Sequence, residues 1–368
     1  MRQILLASDG LERGGTLEVL RLLARHLPHE RFALTVALPD ATALDSLSAE
    51  LKADGVATER LAHWAPRDPL GFTEFRNLLA ATGAELVHLH LPHTGSCRSL
   101  ILAAGSAGRK VVATEHDPIR LGFLKGMAKH LTLRKTFRTI VISDSSLEFM
   151  RQEYGLNRQQ VVRIWNGIEP ERFRGGAVRT PELQEYRKRA PLLLCIATLH
   201  PHKGVDVLLE ALREVVRDAS QALLLVVGEG PAASDLRRIA AARGVAAHVR
   251  FLGWRTDVPD LLATCDVLAQ PSRRETFGLA VVEAMAAGRA VVATRVGGHA
   301  DTVEHESTGL LVPPEDPSGL AAAILSLTSD PGRRATMGAA GQARAAMLFT
   351  AERMASETAA LYDSILTT

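Results

Sequence analysis

Short apolar runs and longer amphipathic stretches alternate along this chain. The runs at 4–7, 32–38, 86–91, 111–114, 140–143 and 161–165 are rich in Leu, Ile and Val and read as buried strands. Between the first two, Leu17, Leu20, Leu23, Ala24 and Leu27 recur at helical spacing, and Pro28 closes the helix predicted over 17–27. A second series of runs lies at 192–197, 223–228, 249–253, 267–269 and 290–294. Two predicted helices interrupt it. The one over 205–216 carries Val207, Leu208, Ala211, Leu212 and Val215 on one face, and the one over 279–287 stops at Gly288. A last helix is predicted over 351–365, with Thr350 as its N-cap and Met354, Leu361, Tyr362 and Ile365 along one side.

Two such series predict an α/β protein with two Rossmann-like domains. The 368 residues are also too many for one ordinary core. The expected division is a first domain over 1–170, an Arg-, Gly- and Pro-rich linker over 171–190, a second domain over 191–349 and a terminal helix over 350–368. A net charge of +2 gives no argument for a nucleic-acid partner. Cys97, Cys195 and Cys265 are widely spaced in apolar contexts and are expected as reduced core thiols of a cytoplasmic protein. The N-terminal stretch is expected as a strand rather than a signal peptide. No run approaches eighteen apolar residues, so no membrane-spanning helix is expected.

Glu275 and Glu283 are the chemically loudest pair. Glu275 lies in a polar loop after a strand, beside Arg273 and Arg274; Glu283 is the only charge between Phe277 and Gly288. A carboxylate on so apolar a helix is costly unless something satisfies it. Each is also open to a plainer reading, as a surface residue paired locally or facing water. Lys203 and Gly204 precede a helix, and Gly14 and Gly15 precede another; both are geometries that attract phosphate, though a surface lysine and a simple turn are the commoner outcomes. His88, His90 and His93 invite a zinc reading, but no fourth ligand stands at the usual spacing, and no Asp-x-Asp cluster is present. No metal is therefore expected. Segment 120–138 holds Arg120, Lys125, Lys129, Arg134, Lys135 and Arg138 without an intervening acid. Leu121, Phe123, Leu124, Met127, Ala128 and Leu131 share one side of its helical wheel, with Lys125 and Lys129 opposite. It fits either an anionic membrane surface or an ordinary packed helix.

The ordered series Pro271-Ser272, Glu275-x-Phe277-Gly278-Leu279, Glu283-Ala284-Met285-Ala286, Gly288, Gly297-Gly298 and Thr308-Gly309-Leu310-Leu311-Val312 resembles the donor-sugar signature of family-four retaining glycosyltransferases with the GT-B fold. Asn166-Gly167-Ile168 matches that family's end-of-domain motif, and the two domains would face each other across a cleft, with the last helix crossing back to the first. The resemblance implies transfer of a sugar from a nucleotide diphosphate sugar, UDP- or GDP-linked, to an acceptor hydroxyl with configuration retained. No cofactor is implied. Glu283 would hold the ribose and Glu275 the transferred sugar. Backbone amides of Phe277, Gly278 and Leu279 would surround sugar and phosphate, and Lys203 would face the diphosphate. His116, after the strand predicted over 111–114, matches the histidine beside the donor sugar; Gly15 matches the first-loop glycine. The acceptor, a glycan, a lipid-linked or a small molecule, would meet the first domain. The implied location is cytoplasmic, peripheral at the inner membrane face if 120–138 meets lipid. Two departures stand out. Thr198 occupies the place of the family's second diphosphate-binding Arg, a loss that Arg273 or Arg274 is placed to offset, and Thr16-Leu17 replaces the usual Ala-Glu. They leave room for a catalytically weak nucleotide-sugar-binding subunit; a same-fold nucleotide-sugar epimerase and a small-molecule binding protein are the other rivals.

Overall fold

The computed structural model of the protein describes residues 1–368 except 64–68, 176, 177, 179 and 368. It contains two compact units, Met1–Gly167 with Ala351–Thr368, and Ile168–Thr350. Among the described residues, strands β1 (Arg2–Ser8), β2 (Phe32–Pro39), β3 (Ala57–Leu61), β4 (Leu86–Leu91), β5 (Lys110–Glu115), β6 (Arg138–Val141) and β7 (Val161–Arg163) build the first sheet. Their order is β3-β2-β1-β4-β5-β6-β7, and every pairing is parallel. In the second unit β8 (Leu192–Ile196), β9 (Leu223–Val227), β10 (Val249–Gly253), β11 (Val267–Gln270), β12 (Ala290–Thr294) and β13 (Leu310–Val312) pair in the order β10-β9-β8-β11-β12-β13, again all parallel. Parallel sheets covered by helices on both faces need strands that are apolar throughout. LLLCI and LLLVV in β8 and β9 meet that need, and both runs are almost wholly buried. Each sheet reverses its order once, between β1 and β4 and between β8 and β11. Loops leaving the carboxyl ends of the strands on either side of such a point splay apart and leave room for a ligand.

The segment expected as a linker, 171–190, is instead part of the second unit. Short helices Pro170–Phe173 and Pro181–Tyr186 fall in it, and Phe173 and Leu183 are buried. The last helix, Ala351–Leu366, belongs to the first unit. Tyr362 carries much of that docking: it is fully buried, meets Phe32 edge to face at 5.7 Å, and lies 2.5 Å from His88 Nδ1 through its hydroxyl.

The basic segment departs most from expectation. Its helix, Phe123–Leu133, turns its apolar side outward within the unit: Phe123 is 81% exposed, Leu124 79%, Met127 54% and Leu131 60%. Lys129, expected on a solvated edge opposite them, is buried and forms an ion pair with Glu115, itself buried at the end of β5. Period and composition gave the apolar side, but Lys125 is exposed with it while Lys129 is buried. The pattern could not show that Glu115 waits at a strand end to accept the lysine.

Candidate active site

The loops that leave β8 and β11 flank the switch point of the second sheet. The first carries Lys203 to Gly204, and the helix Val205–Asp218 starts immediately after it. The second runs from Pro271 to Gly278 and feeds the helix Leu279–Ala286. Gly204 and Gly278 occupy the N-cap positions at φ 65° and 91°, which only glycine adopts without strain, and neither helix has a side-chain cap. A Cβ on Gly204 would run into the Pro271 carbonyl, and one on Gly278 would stand 2.7 Å from the His299 ring. Glycine thus lets the two loops and the following histidine close on each other.

Glu275 sits at the centre of that packing, with 15% of its side chain exposed. Its Oε2 accepts from Lys203 Nζ at 2.8 Å and from Ser272 Oγ at 3.2 Å, and His299 Nε2 is 3.9 Å away. Burial alone would raise the carboxyl pKa, but the Lys203 charge, then His299 and Ser272, outweigh it and hold the group below the ordinary value. His299 is fully buried, donates Nδ1–H to Thr294 O at 3.1 Å, and is pushed down by that burial, so it is neutral near pH 7. Sequence reasoning missed His299. Its signal was the Gly297-Gly298 pair just before it, which brings the chain so close that Gly298 N–H donates to Glu275 O at 3.0 Å.

Arg273 is placed differently from the expected diphosphate contact. Its guanidinium donates to both oxygens of Asp206 at 2.7 Å, to Pro201 O at 2.6 Å and to Glu315. It clamps the two loops together, with its charge matched by carboxylates of the same unit. Arg274 lies next to it, its N–H near His202 O. Phe277 turns its ring into the core, against Phe349 at 5.7 Å, leaving only its backbone for a ligand. Glu283 is half-buried on the helix Leu279–Ala286. Lys203, Ser272, Glu275 and His299 therefore converge, and Arg273 braces them from outside.

Gly15 and His116 lie in the first unit. Gly15 opens the helix Gly15–His26, whose N-cap Gly14 has extended backbone and no side-chain cap. His116 follows β5; it is buried and its Nε2 is 3.0 Å from His90 Nδ1. His88 contacts Tyr362 and Thr114, whereas His93 accepts from Gly95 N–H, so the three histidines of the zinc reading do not converge.

Two Rossmann-like units, one with a lysine-held carboxylate between uncapped helix N-termini, define the GT-B class. Residues 180–344 match the profile of glycosyl transferases group 1, and residues 13–172 that of glycosyltransferase family 4. The chain is 32% identical over 274 residues to a GDP-mannose-dependent monoacylated alpha-(1-6)-phosphatidylinositol monomannoside mannosyltransferase of Corynebacterium glutamicum, covering 68% of this chain and 70% of that protein. It is 37% identical over 187 residues to a GDP-mannose-dependent alpha-(1-6)-phosphatidylinositol monomannoside mannosyltransferase of Mycobacterium tuberculosis, a match that spans about half of each protein (48% and 49%). Anabaena HepE with UDP-glucose superposes with a TM-score of 0.86 at 23% identity, over 99% of this chain and 100% of that one. The chain belongs to the family-four, group 1 glycosyltransferases.

Proposed function

We propose that the chain is a retaining, metal-independent glycosyltransferase that moves a sugar from a nucleotide diphosphate sugar to an acceptor hydroxyl. GDP-mannose is the first donor to test, since the relatives at 32% and 37% identity are GDP-mannose-dependent enzymes. One observation carries the reading: Lys203 and Glu275 are held 2.8 Å apart beside the N-termini of two helices without side-chain caps. A bound diphosphate takes the lysine's free hydrogens and the open backbone donors, and Glu275 keeps an oxygen for sugar hydroxyls. Glu283 binds the ribose. Backbone groups of Phe277, Gly278 and Leu279 line sugar and phosphate, and Gly15 and His116 serve the donor from the first unit. In the transfer step the anomeric carbon–phosphate oxygen bond breaks while the acceptor oxygen bonds on the same face. The acceptor's proton passes to the departing phosphate oxygen. Lys203 and the helix N-termini stabilise the charge that grows there, so no bridging cation is called for. Arg273 holds the loops and does not offset the absent arginine at Thr198.

The acceptor in this reading is lipid-linked, and the helix Phe123–Leu133 meets the anionic membrane that carries it. Phe123, Leu124, Met127 and Leu131 supply the inserted face and Lys125, Arg134 and Lys135 the charge, all exposed. No described helix is long and apolar enough to cross a membrane.

The test is a panel of GDP-mannose, UDP-glucose and ADP-glucose, scored by thermal stabilisation and then by transfer to phosphatidylinositol-containing vesicles. Stabilisation by GDP-mannose and transfer with retention are expected. An epimerised sugar from donor alone would replace the reading with the epimerase one; binding without transfer or hydrolysis would leave a non-catalytic subunit.

A further inference from the structure

His116 does not stand alone at the end of β5. His90, from the neighbouring β4, stacks on it with ring planes 24° apart and centroids at 5.3 Å, and its Nδ1 lies 3.0 Å from His116 Nε2. His90 is 1% exposed and His116 7%, so His116 is the member of the pair that reaches the surface. Burial keeps both rings neutral: it takes His116 down to about 3, and His90, which also feels His88 and His116, well below its ordinary value. Two neutral imidazoles share one proton across such a contact, and either ring can supply it. The other nitrogen of His90 decides which. His90 Nε2 is buried and has no hydrogen-bond partner. A proton there would be an N–H buried without an acceptor, a rarer and costlier state than an unused lone pair. The proton of His90 is therefore on Nδ1 and donates to His116 Nε2. A neutral His116 so engaged carries its own proton on Nδ1.

We propose that His90 is a positioning residue that fixes His116 as its Nδ1–H tautomer, so that His116 faces the reacting sugar as a hydrogen-bond donor and not as a base. The inference deepens the assignment of His116 to the donor site and rests on it. A donor at this place suits a hydroxyl or ring oxygen of the transferred sugar. It has no capacity to take the acceptor's proton, which agrees with a reaction in which the leaving phosphate does so. His88, on the same face of β4 with rings 4.5 Å from those of His90, makes its own contacts to Tyr362 and Thr114 and keeps the stack upright.

Two measurements test the proposal. In the unmodified protein labelled with nitrogen-15 at histidine, long-range proton–nitrogen spectra report which ring nitrogen of His116 is protonated, with His116→Gln supplying the assignment. A protonated Nδ1 is expected; a protonated Nε2 would overturn the proposal whatever the kinetics. In transfer assays His90→Phe should lower kcat at least tenfold with the donor KM within twofold. His90→Asn, whose amide nitrogen replaces Nδ1 as donor, should recover most of the rate. Equal losses in both variants, or none in His90→Phe, would also refute it. His116→Ala separates the two ideas: full activity there would remove His116 from the donor site while the tautomer measured by resonance still stands or falls by itself.

Discussion

Lys203 has two tasks that a single substitution separates. It faces the proposed diphosphate and it holds Glu275 ionised against the pull of burial. A charge-assisted contact to phosphate contributes roughly 1.5–3 kcal/mol, so Lys203→Ala should weaken donor binding by about tenfold to a hundredfold, read by titration calorimetry. Unchanged affinity would leave Lys203 as a loop residue only. The same variant leaves the Glu275 carboxyl buried without its cation, so its pKa rises. The acidic limb of the pH–rate profile should therefore move to higher pH, measured on kcat. The two glutamates divide by ligand: Glu283→Gln should weaken the free nucleotide and the nucleotide sugar alike, and Glu275→Gln should leave the free nucleotide nearly unaffected while depressing turnover. Equal effects on free-nucleotide affinity would end that division. In the sequence these three stand out as candidates because each has glycine or proline within a few positions. The pairing of Arg273 was not legible, since its partners Asp206 and Glu315 are remote in the chain and only the fold brings them to it.

Strands buried on both faces were read almost to the residue; β4 and β12 have the bounds their apolar runs predict. What escaped includes apolar helices such as Arg98–Ser106 and Pro317–Thr328, and elements that are polar or small. The edge strand β3, ATERL, alternates exposed and half-buried positions, and the helix Pro331–Leu348 is built largely from Ala and Gly, so neither presents a strong apolar period. The helix Phe123–Leu133 taught a different lesson, since burial reversed the roles of its charges. Lys129→Met would strand Glu115 in the interior, and breaking a buried pair from one side costs about 3–5 kcal/mol. The variant should lose stability in urea unfolding by that order, with no change in nucleotide affinity. Loss below about 1 kcal/mol would mean that the Lys129–Glu115 pair does not hold this helix in place. Leu124→Ser with Met127→Ser should do the reverse. Both side chains are exposed, so stability is kept within about 0.5 kcal/mol, while sedimentation with anionic vesicles is lost. Unaltered sedimentation would assign the contact to the basic residues alone.

At the scale of the molecule, the two units carry different titrations, and this separates them in a melting experiment. The first unit buries His88, His90 and His116, and burial depresses all three, His88 and His116 to about 3. The second buries His299, also depressed. A histidine whose folded pKa lies below its unfolded value of 6.5 favours the folded state fully above pH 6.5, and that contribution falls as pH drops toward the folded value, because only the unfolded chain takes up the proton. The carboxylates with lowered values, among them Glu275, Asp206 and Asp257, start from ordinary values of 4.5 or 3.8 and do not contribute to a change between pH 7.5 and 5.5. Over that interval His88 and His116 should each withdraw about 1.4 kcal/mol from the first unit. Calorimetry at pH 7.5 should resolve two transitions, one for each hydrophobic core. Acidification to pH 5.5 should lower one of them strongly and the other weakly, and GDP or GDP-mannose should raise the one that acid moves least. His88→Gln should flatten the acid response of the sensitive transition only. If nucleotide instead raised the acid-sensitive transition, the donor would be held mainly by the first unit, and the assignment of Lys203, Glu275 and Glu283 to it would be wrong.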